Sequence, residues 1–168
     1  DGSVPQSFDN VLKWAVTDRL MGRRRKSPAR APVPRVEPDL ALLATPPAAH
    51  EGARLTWLGH ASWLVQLDGL SLLIDPALRD AISVIIRRNV QPGLTIEQLP
   101  PIAASLVSHN HYDHLDLPTL EPVGAPIITG LGQSRIFRGT KLPCTELDWW
   151  SSTKIGDVTI HYVPSQHW

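Results

Sequence analysis

Residues 54–76, RLTWLGHASWLVQLDGLSLLIDP, constrain the fold more strongly than any other part of the chain. Their apolar residues alternate with polar ones or run together in short pieces, which is typical of strands. The dipeptide Asp68-Gly69 interrupts the apolar pattern, and it tolerates the positive φ angles of a tight hairpin turn. The segment therefore predicts strands near residues 54–58, 62–67 and 70–74.

The rest of the chain adds short strands and short helices in alternation. Further strands are predicted at residues 105–108, 125–129 and 157–163. Helices are predicted at residues 132–138 and 117–122, the latter with Pro118 in its first turn. Residues 80–88, DAISVIIRR, fit either a short helix or a packed loop. Strands separated by short helices, with turn signals between them, predict an α/β layered domain.

The first 53 residues differ from the rest in apolar spacing and in proline content. Apolar residues at helical spacing predict an amphipathic helix over residues 8–21. Residues 28–47 then contain six prolines, so we expect an irregular arm there. The expected organisation is a helix and a Pro/Arg-rich arm in residues 1–53, followed by one domain in residues 54–168.

The arm is also strongly basic. Between Arg19 and Arg35 there are seven basic residues and no acidic one. Such a run is usually a solvated surface, and this is the reading we favour. The functional alternative is contact with anionic lipid headgroups, because each clustered basic side chain adds about 1 kcal/mol of attraction near a membrane surface. The residues concerned are Arg23, Arg24, Arg25 and Lys26.

Composition excludes several classes of function. Sixteen basic and sixteen acidic residues cancel, so no overall field favours nucleic acid as a partner. Cys144 is the only cysteine, which excludes an intrachain disulfide and a cysteine-built zinc site. We expect its thiol to be a small buried group. The location is left undetermined, with the cytoplasm or a peripheral membrane position favoured.

Residues 109–114, HNHYDH, carry three of the seven histidines directly after the predicted strand 105–108. His109 and His111 are two positions apart on extended backbone, so their rings point to the same side. Asp113 and His114 follow where the chain turns. Imidazole nitrogen and carboxylate oxygen suit zinc, and such sites also accept iron or manganese. The spacing predicts a binuclear metal centre, which typically hydrolyses esters, lactones and phosphodiesters.

Other histidines and tryptophans have weaker signals. His60 in the turn GHAS either lines a pocket or bonds to the backbone, and both alternatives stay open. His161 is expected to be structural or exposed, and His50 to be solvated. Trp149 and Trp150 are expected to cover the core or the sheet.

The segment HNHYDH, directly after a predicted strand, resembles the signature of the metallo-β-lactamase-fold hydrolases, which is His-x-His-x-Asp-His at the end of a strand. The resemblance spans residues 54–168. Within the family, this part of the chain looks like the branch that contains N-acylphosphatidylethanolamine phospholipase D. The segments that carry it are WLGHAS, LIDP, LVSHNHYDHLD, ELDWW and PSQHW. The resemblance implies an αββα sandwich.

The resemblance also implies roles for individual residues. It makes His109, His111 and His167 ligands of a first zinc ion, and Asp113 and His114 ligands of a second. Asp113 is also the candidate catalytic residue, because it would orient the nucleophile. Asp75, in LIDP, would accept a hydrogen bond that orients a ligand imidazole.

The implied activity is that of a zinc-dependent hydrolase with two metal ions. By resemblance it is a phospholipase D-like phosphodiesterase that acts on N-acylphosphatidylethanolamine-type substrates, either a phospholipid or a smaller molecule. The alternative within the same fold is hydrolysis of lactones or carboxylic esters.

One departure from the family matters. Its members continue for a further half-domain, which supplies a bridging carboxylate, a last histidine ligand and the second sheet. Residues 54–168 are therefore expected to be the N-terminal half of the sandwich, with the missing half supplied by the same or another chain. A non-catalytic half-domain that needs a partner chain is the alternative from a different class.

Overall fold

The computed structural model describes residues 12–22, 33–82 and 88–166. The chain divides into two units, residues 1–32 with 165–168 and residues 33–164. In the first unit, a π-helical turn at Lys13–Thr17 continues into helix α1, Asp18–Leu20. The start of the predicted helix 8–21 and residues 83–87 of the ambiguous segment lie outside the described residues. Among the described helices, none is long and apolar enough to cross a membrane.

The second unit is built on a mixed sheet of six strands that lie side by side in chain order. The strands are β1 (Ala53–Gly59), β2 (Ser62–Leu67), β3 (Leu70–Ile74), β4 (Ala104–Val107), β5 (Ile127–Gly130) and β6 (Cys144–Leu147). Strands β1 to β3 are antiparallel, whereas β3 to β6 are parallel. A separate hairpin consists of β7 (Ser152–Ile155) and β8 (Val158–His161). The predicted α/β class is confirmed.

The hairpin between β2 and β3 turns where the sequence indicates. Asp68 and Gly69 have φ angles of 48° and 73°, the pair of positive values that a type I′ turn requires. Leu67 and Leu70 face each other across the turn. The predicted strands 62–67 and 70–74 have these bounds in the structure, and the first strand is one residue longer at each end than predicted.

Helices cover one face of the sheet. Helix α2 (Leu40–Ala44) buries Leu43 against a leucine cluster, and α3 (Leu117–Val123) buries Leu120 in a neighbouring cluster around β4 and β5. Each fully buried leucine stabilises the fold by about 1.5–3 kcal/mol. The two clusters comprise Leu43, Leu58, Leu64, Leu73, Leu78 and Leu94, and Val107, Leu115, Leu120, Ile127 and Phe137.

Helix α2 lies inside the proline-rich stretch where only irregular structure was expected. No proline stands between Pro38 and Pro46, so five residues are free to form a helical turn. The carboxylate of Asp39 accepts a hydrogen bond from the amide of Leu42 at 3.0 Å and caps the helix. The predicted helix 117–122 is α3, and the helix predicted at 132–138 is a short 3-10 turn, Ser134–Phe137.

The opposite face of the sheet is only partly covered. The β7–β8 hairpin packs Val158 against a cluster that contains Leu72 and Ile128. The strand register places Trp57 and Trp63 opposite each other on this same face, where they are 60% and 37% exposed. An uncovered apolar area of this kind is what half of a sandwich would leave.

The prediction for Trp149 and Trp150 is wrong. These side chains are 62% and 74% exposed. They lie in the turn between β6 and β7, where the amide of Trp149 donates to the carboxylate of Asp148 and Trp150 has a φ of 67°. Both residues are therefore largely exposed to solvent. Cys144, expected to be buried, is half-buried on β6.

Candidate metal centre

Three chain segments converge at one edge of the sheet. Because β2 runs antiparallel to β1 and β3, the turn before β2 lies beside the end of β3. Because β3 and β4 are parallel, the end of β3 lies beside the end of β4. The edge therefore brings together the turn that contains His60, Asp75 after β3, and the segment 109–114 after β4. The carboxyl ends of parallel strands are a common place for binding sites in α/β folds.

The imidazoles of the HNHYDH segment form one cluster. Ring centroids are 4.5 Å apart for His109 and His111, and 4.2 Å apart for His109 and His114. The amides of His114 and Leu115 donate to the carbonyl of His111, so the chain turns there as the sequence suggests. His167, the remaining predicted ligand, lies outside the described residues.

Asp75 is the buried carboxylate of this site, with only 5% of the residue exposed. It accepts hydrogen bonds from the amide and the hydroxyl of Ser108, both at 2.7 Å. Its second oxygen also lies 2.8 Å from Nδ1 of His114. Asp75 has a φ of 42°, a left-handed conformation that aspartate adopts more readily than most residues, and its side chain reaches Ser108 and His114.

The contact with Asp75 fixes how His114 presents its ring. When Nδ1–H donates to a carboxylate, the proton is kept on that nitrogen and Nε2 carries the lone pair. Nε2 of His114 lies 3.8 Å from Oδ2 of Asp113. A carboxylate behind the ring and a second donor in front of it is the arrangement typical of metal-binding histidines.

His60 also reaches Asp113, which the sequence did not reveal. Its Nε2 lies 2.9 Å from Oδ2 of Asp113, although the two residues are 53 positions apart. The indole of Trp57 donates to the carbonyl of His60 at 2.9 Å and supports the turn. The local signal was the turn GHAS itself, whose place at this edge of the sheet follows only from the strand order.

The surroundings of Asp113 favour its ionised form. Partial burial raises the pKa of this carboxyl. A backbone hydrogen bond, the hydrogen bond from His60 and the charges of His114 and His60 together lower the pKa by a larger amount. The net effect is a pKa below the usual range, so the group is a carboxylate at neutral pH. Metal binding requires this form.

The donor chemistry of these residues fits a metal ion. His60, Asp113 and His114 each offer one donor atom, and the three atoms lie within 4.8 Å of one another. Two imidazole nitrogens and one carboxylate oxygen form a set that zinc accepts.

A half-buried ion pair holds the chain just beyond the histidines. Asp116 is 4% exposed and accepts two hydrogen bonds from Nε of Arg79 and a third, at 2.6 Å, from Nη2. The hydroxyl of Thr119 also donates to Asp116 and accepts from the amide of Leu78. This network ties the segment after β3 to the first turn of α3. It thereby holds the chain just after Asp75 and just after His114.

Tyr162 contacts the strand end from the other side. Its hydroxyl donates to the carbonyl of Ser108 at 3.0 Å. Gly130 on β5 makes room for the ring, because a Cβ at this position would overlap the tyrosine hydroxyl. Ser108 is thus held by Asp75 and Tyr162 together.

A groove of about 440 Å³ lies beside His60 at the same edge of the sheet. His60 forms part of its wall. The other lining residues are mainly apolar, but they also include Arg35 and Arg88. Arg88 donates to the carbonyls of Ala77 and Arg79, and burial lowers its pKa against the opposing charge of Asp116. The apolar lining consists of Val33, Pro34, Val36, Trp57, Leu58 and Val90.

Comparison with known proteins gives a family match and relatives. Residues 71–168 match the family described as the beta-lactamase superfamily domain. An uncharacterized protein of Mycobacterium tuberculosis is 32% identical over 161 residues, which cover 88% of this chain and 41% of that protein. The N-acyl-phosphatidylethanolamine-hydrolyzing phospholipase D 1 of Caenorhabditis elegans is 31% identical over 138 residues, covering 71% of this chain and 39% of that protein.

A solved structure agrees with the fold. The metallo hydrolase Igni18 of Ignicoccus hospitalis superposes with a TM-score of 0.51 at 19% identity, covering 68% of this chain and 49% of that one. The chain spans about two fifths of the length of the curated relatives named above.

Proposed function

Because this chain belongs to the beta-lactamase superfamily, we propose that it carries the metal-binding half of a metal-dependent hydrolase. The observation that carries the proposal is the contact of Asp75 with Nδ1 of His114, which leaves Nε2 directed at Asp113. Metal-binding histidines usually donate their other ring N–H to a carboxylate, a backbone carbonyl or water, which fixes the tautomer and the orientation of the ring. Residues 54–168 are the proposed extent of this half-domain.

The proposed site holds two ions. One is bound by His109, His111 and His167, and the other by Asp113 and His114, with Asp75 orienting His114. Zinc is the proposed metal, because nitrogen and oxygen donors of this kind suit it; iron and manganese are the alternatives. A pair of such ions supplies Lewis acidity and a hydroxide nucleophile at neutral pH. Asp113, kept ionised by its neighbours, would also orient that nucleophile.

The proposed substrate is an amphiphilic phosphodiester of the N-acylphosphatidylethanolamine type. The similarity to the Caenorhabditis elegans phospholipase supports it. So does the groove beside His60, because its apolar walls suit an acyl chain. The basic residues 23–26, which lie outside the described residues, are the proposed contact with an anionic membrane surface.

The exposed sheet face favours a second candidate. Leu55 and Trp57 are 63% and 60% exposed, and a face of this kind is normally covered by another layer. The proposed cover is a further half-domain, from the same or another chain, which would also supply the remaining ligands. A chain without that half would be a non-catalytic module.

Metal content and hydrolysis of the full-length protein test the proposal. Elemental analysis should give two ions per chain, and the double variant His109→Ala/His111→Ala should lose metal and hydrolysis together. His50→Ala is the matched control, because His50 is exposed and apart from the site. N-acylphosphatidylethanolamine vesicles should be hydrolysed faster than p-nitrophenyl acetate or a lactone. The reverse order would assign the activity to esters or lactones, and a metal-free protein would refute the proposal.

A further inference from the structure

His60, in the turn between β1 and β2, contacts Asp113 of the HNHYDH segment. Asp113 Oδ2 has Nε2 of His60 at 2.9 Å and Nε2 of His114 at 3.8 Å. The rings of His60 and His114 lie 5.6 Å apart, between their centroids, at an interplanar angle of 60°. The carboxylate therefore has two imidazole nitrogens beside it, one from the turn between β1 and β2 and one from the segment after β4.

We propose that His60 is a protein ligand, through Nε2, of the ion held by Asp113 and His114. The inference rests on the proposed function, since it adds a donor to the second of the two proposed ions. The resemblance gives this ion only Asp113 and His114 from the present chain. His60 makes three, which is the number of protein ligands typical of a catalytic zinc site.

The distances agree with this role. With zinc–ligand bonds of about 2.0–2.1 Å, donor atoms around a tetrahedral ion lie about 3.3 Å apart. The two distances to Asp113, 2.9 and 3.8 Å, fall on either side of that value. All three donors lie within 4.8 Å of one another, so ring movements of about 1.5 Å or less complete the set.

The turn at His60 places its imidazole beside Asp113. His60 has a φ of 52°, in the left-handed region, which histidine adopts more often than most other residues. The indole of Trp57 holds the carbonyl of His60, which fixes the turn while the imidazole reaches Asp113.

His60 also belongs to the wall of the groove. A ligand in this position joins the proposed metal site to the proposed substrate groove. A substrate that lies in the groove would then meet the ion next to His60.

Cobalt(II) binding to the full-length protein tests the role of His60. His60→Ala should weaken binding of one of the two ions by more than the ~10- to 100-fold that loss of a partner behind a ligand costs, and it should change the visible absorption spectrum of that ion. His50→Ala is a closely matched control, because His50 is an exposed histidine with a φ of 69°. It should bind both ions like the parent protein. Circular dichroism of each variant checks that it is folded.

His60→Gln separates a ligand from a hydrogen-bond donor. The glutamine amide can still donate to Asp113, but it is a poor zinc ligand. If His60 is a ligand, the Gln variant is as defective as the Ala variant. Parent-like affinity in either variant would overturn the inference while leaving the proposed function intact. A parent protein that binds no metal would instead refute the proposed function itself.

Discussion

Oδ2 of Asp75 lies 2.8 Å from Nδ1 of His114, which is 39 residues further along the chain. The parallel pairing of β3 and β4 brings the two residues together, because Ile74 and Leu106 are partners in the register. The same carboxylate accepts two hydrogen bonds from Ser108, so its position is fixed from two sides.

Asp75→Asn should weaken metal binding by about 10- to 100-fold. The asparagine amide has nearly the same shape, but it no longer stabilises an Nδ1–H donor on His114. Competition with a chromophoric chelator measures the affinity. Asp68→Asn is the matched control, since asparagine before Gly69 suits the hairpin turn. Equal affinity in both variants would contradict the role of Asp75.

Removing the metal should destabilise the protein. A ligand that binds only the folded state stabilises it by about 3 kcal/mol when present at 100 times its Kd. Addition of a chelator should therefore lower the melting temperature, and zinc should restore it. The double variant His109→Ala/His111→Ala should respond much less to either addition. Identical melting of the parent protein with and without chelator would contradict metal binding.

The sequence predicted those parts of the fold that depend on local pattern. Strands β1 to β3 alternate clearly and meet at Asp68-Gly69, and HNHYDH directly follows β4. Strands β6 and β7, CTEL and STKI, were missed because they are short, polar and half-exposed. The contact between His60 and Asp113 was missed because it spans two intervening strands, and no local pattern encodes it.

The thiol of Cys144 should react slowly at neutral pH. Burial raises its pKa, and the negative charge of Glu146 raises it further. Because the thiolate is the reactive form, a raised pKa leaves little of it at pH 7.5. The rate of reaction with a disulfide reagent should therefore rise steeply as the pH increases above 9. Glu146→Gln should accelerate the reaction at pH 8, and a rate that does not depend on pH would contradict this assignment.

Asp116→Ala should destabilise the protein by about 1–3 kcal/mol, measured by urea unfolding. The substitution leaves Arg79 without its carboxylate and removes the acceptor of Thr119 at the start of α3. The loss stays below that of a fully buried pair because the side chain of Arg79 is 43% exposed, so water solvates its charge in the variant. Asp157→Ala, in the exposed turn of the β7–β8 hairpin, is the control and should change stability little. A loss of stability below 1 kcal/mol for Asp116→Ala would contradict the role of the network.

Gly130→Ala should destabilise the protein by about 1–3 kcal/mol through overpacking. The added methyl group would overlap the hydroxyl and Cζ of Tyr162, which donates to the carbonyl of Ser108. Tyr162→Phe removes the hydroxyl, so it should lessen the effect of Gly130→Ala in a double-mutant cycle. The coupling is measured from the free energies of unfolding of the two single variants and the double variant. Strictly additive effects would show that the two positions do not interact, whereas coupling would establish that β5 and the segment after β8 jointly hold the strand end that carries His109.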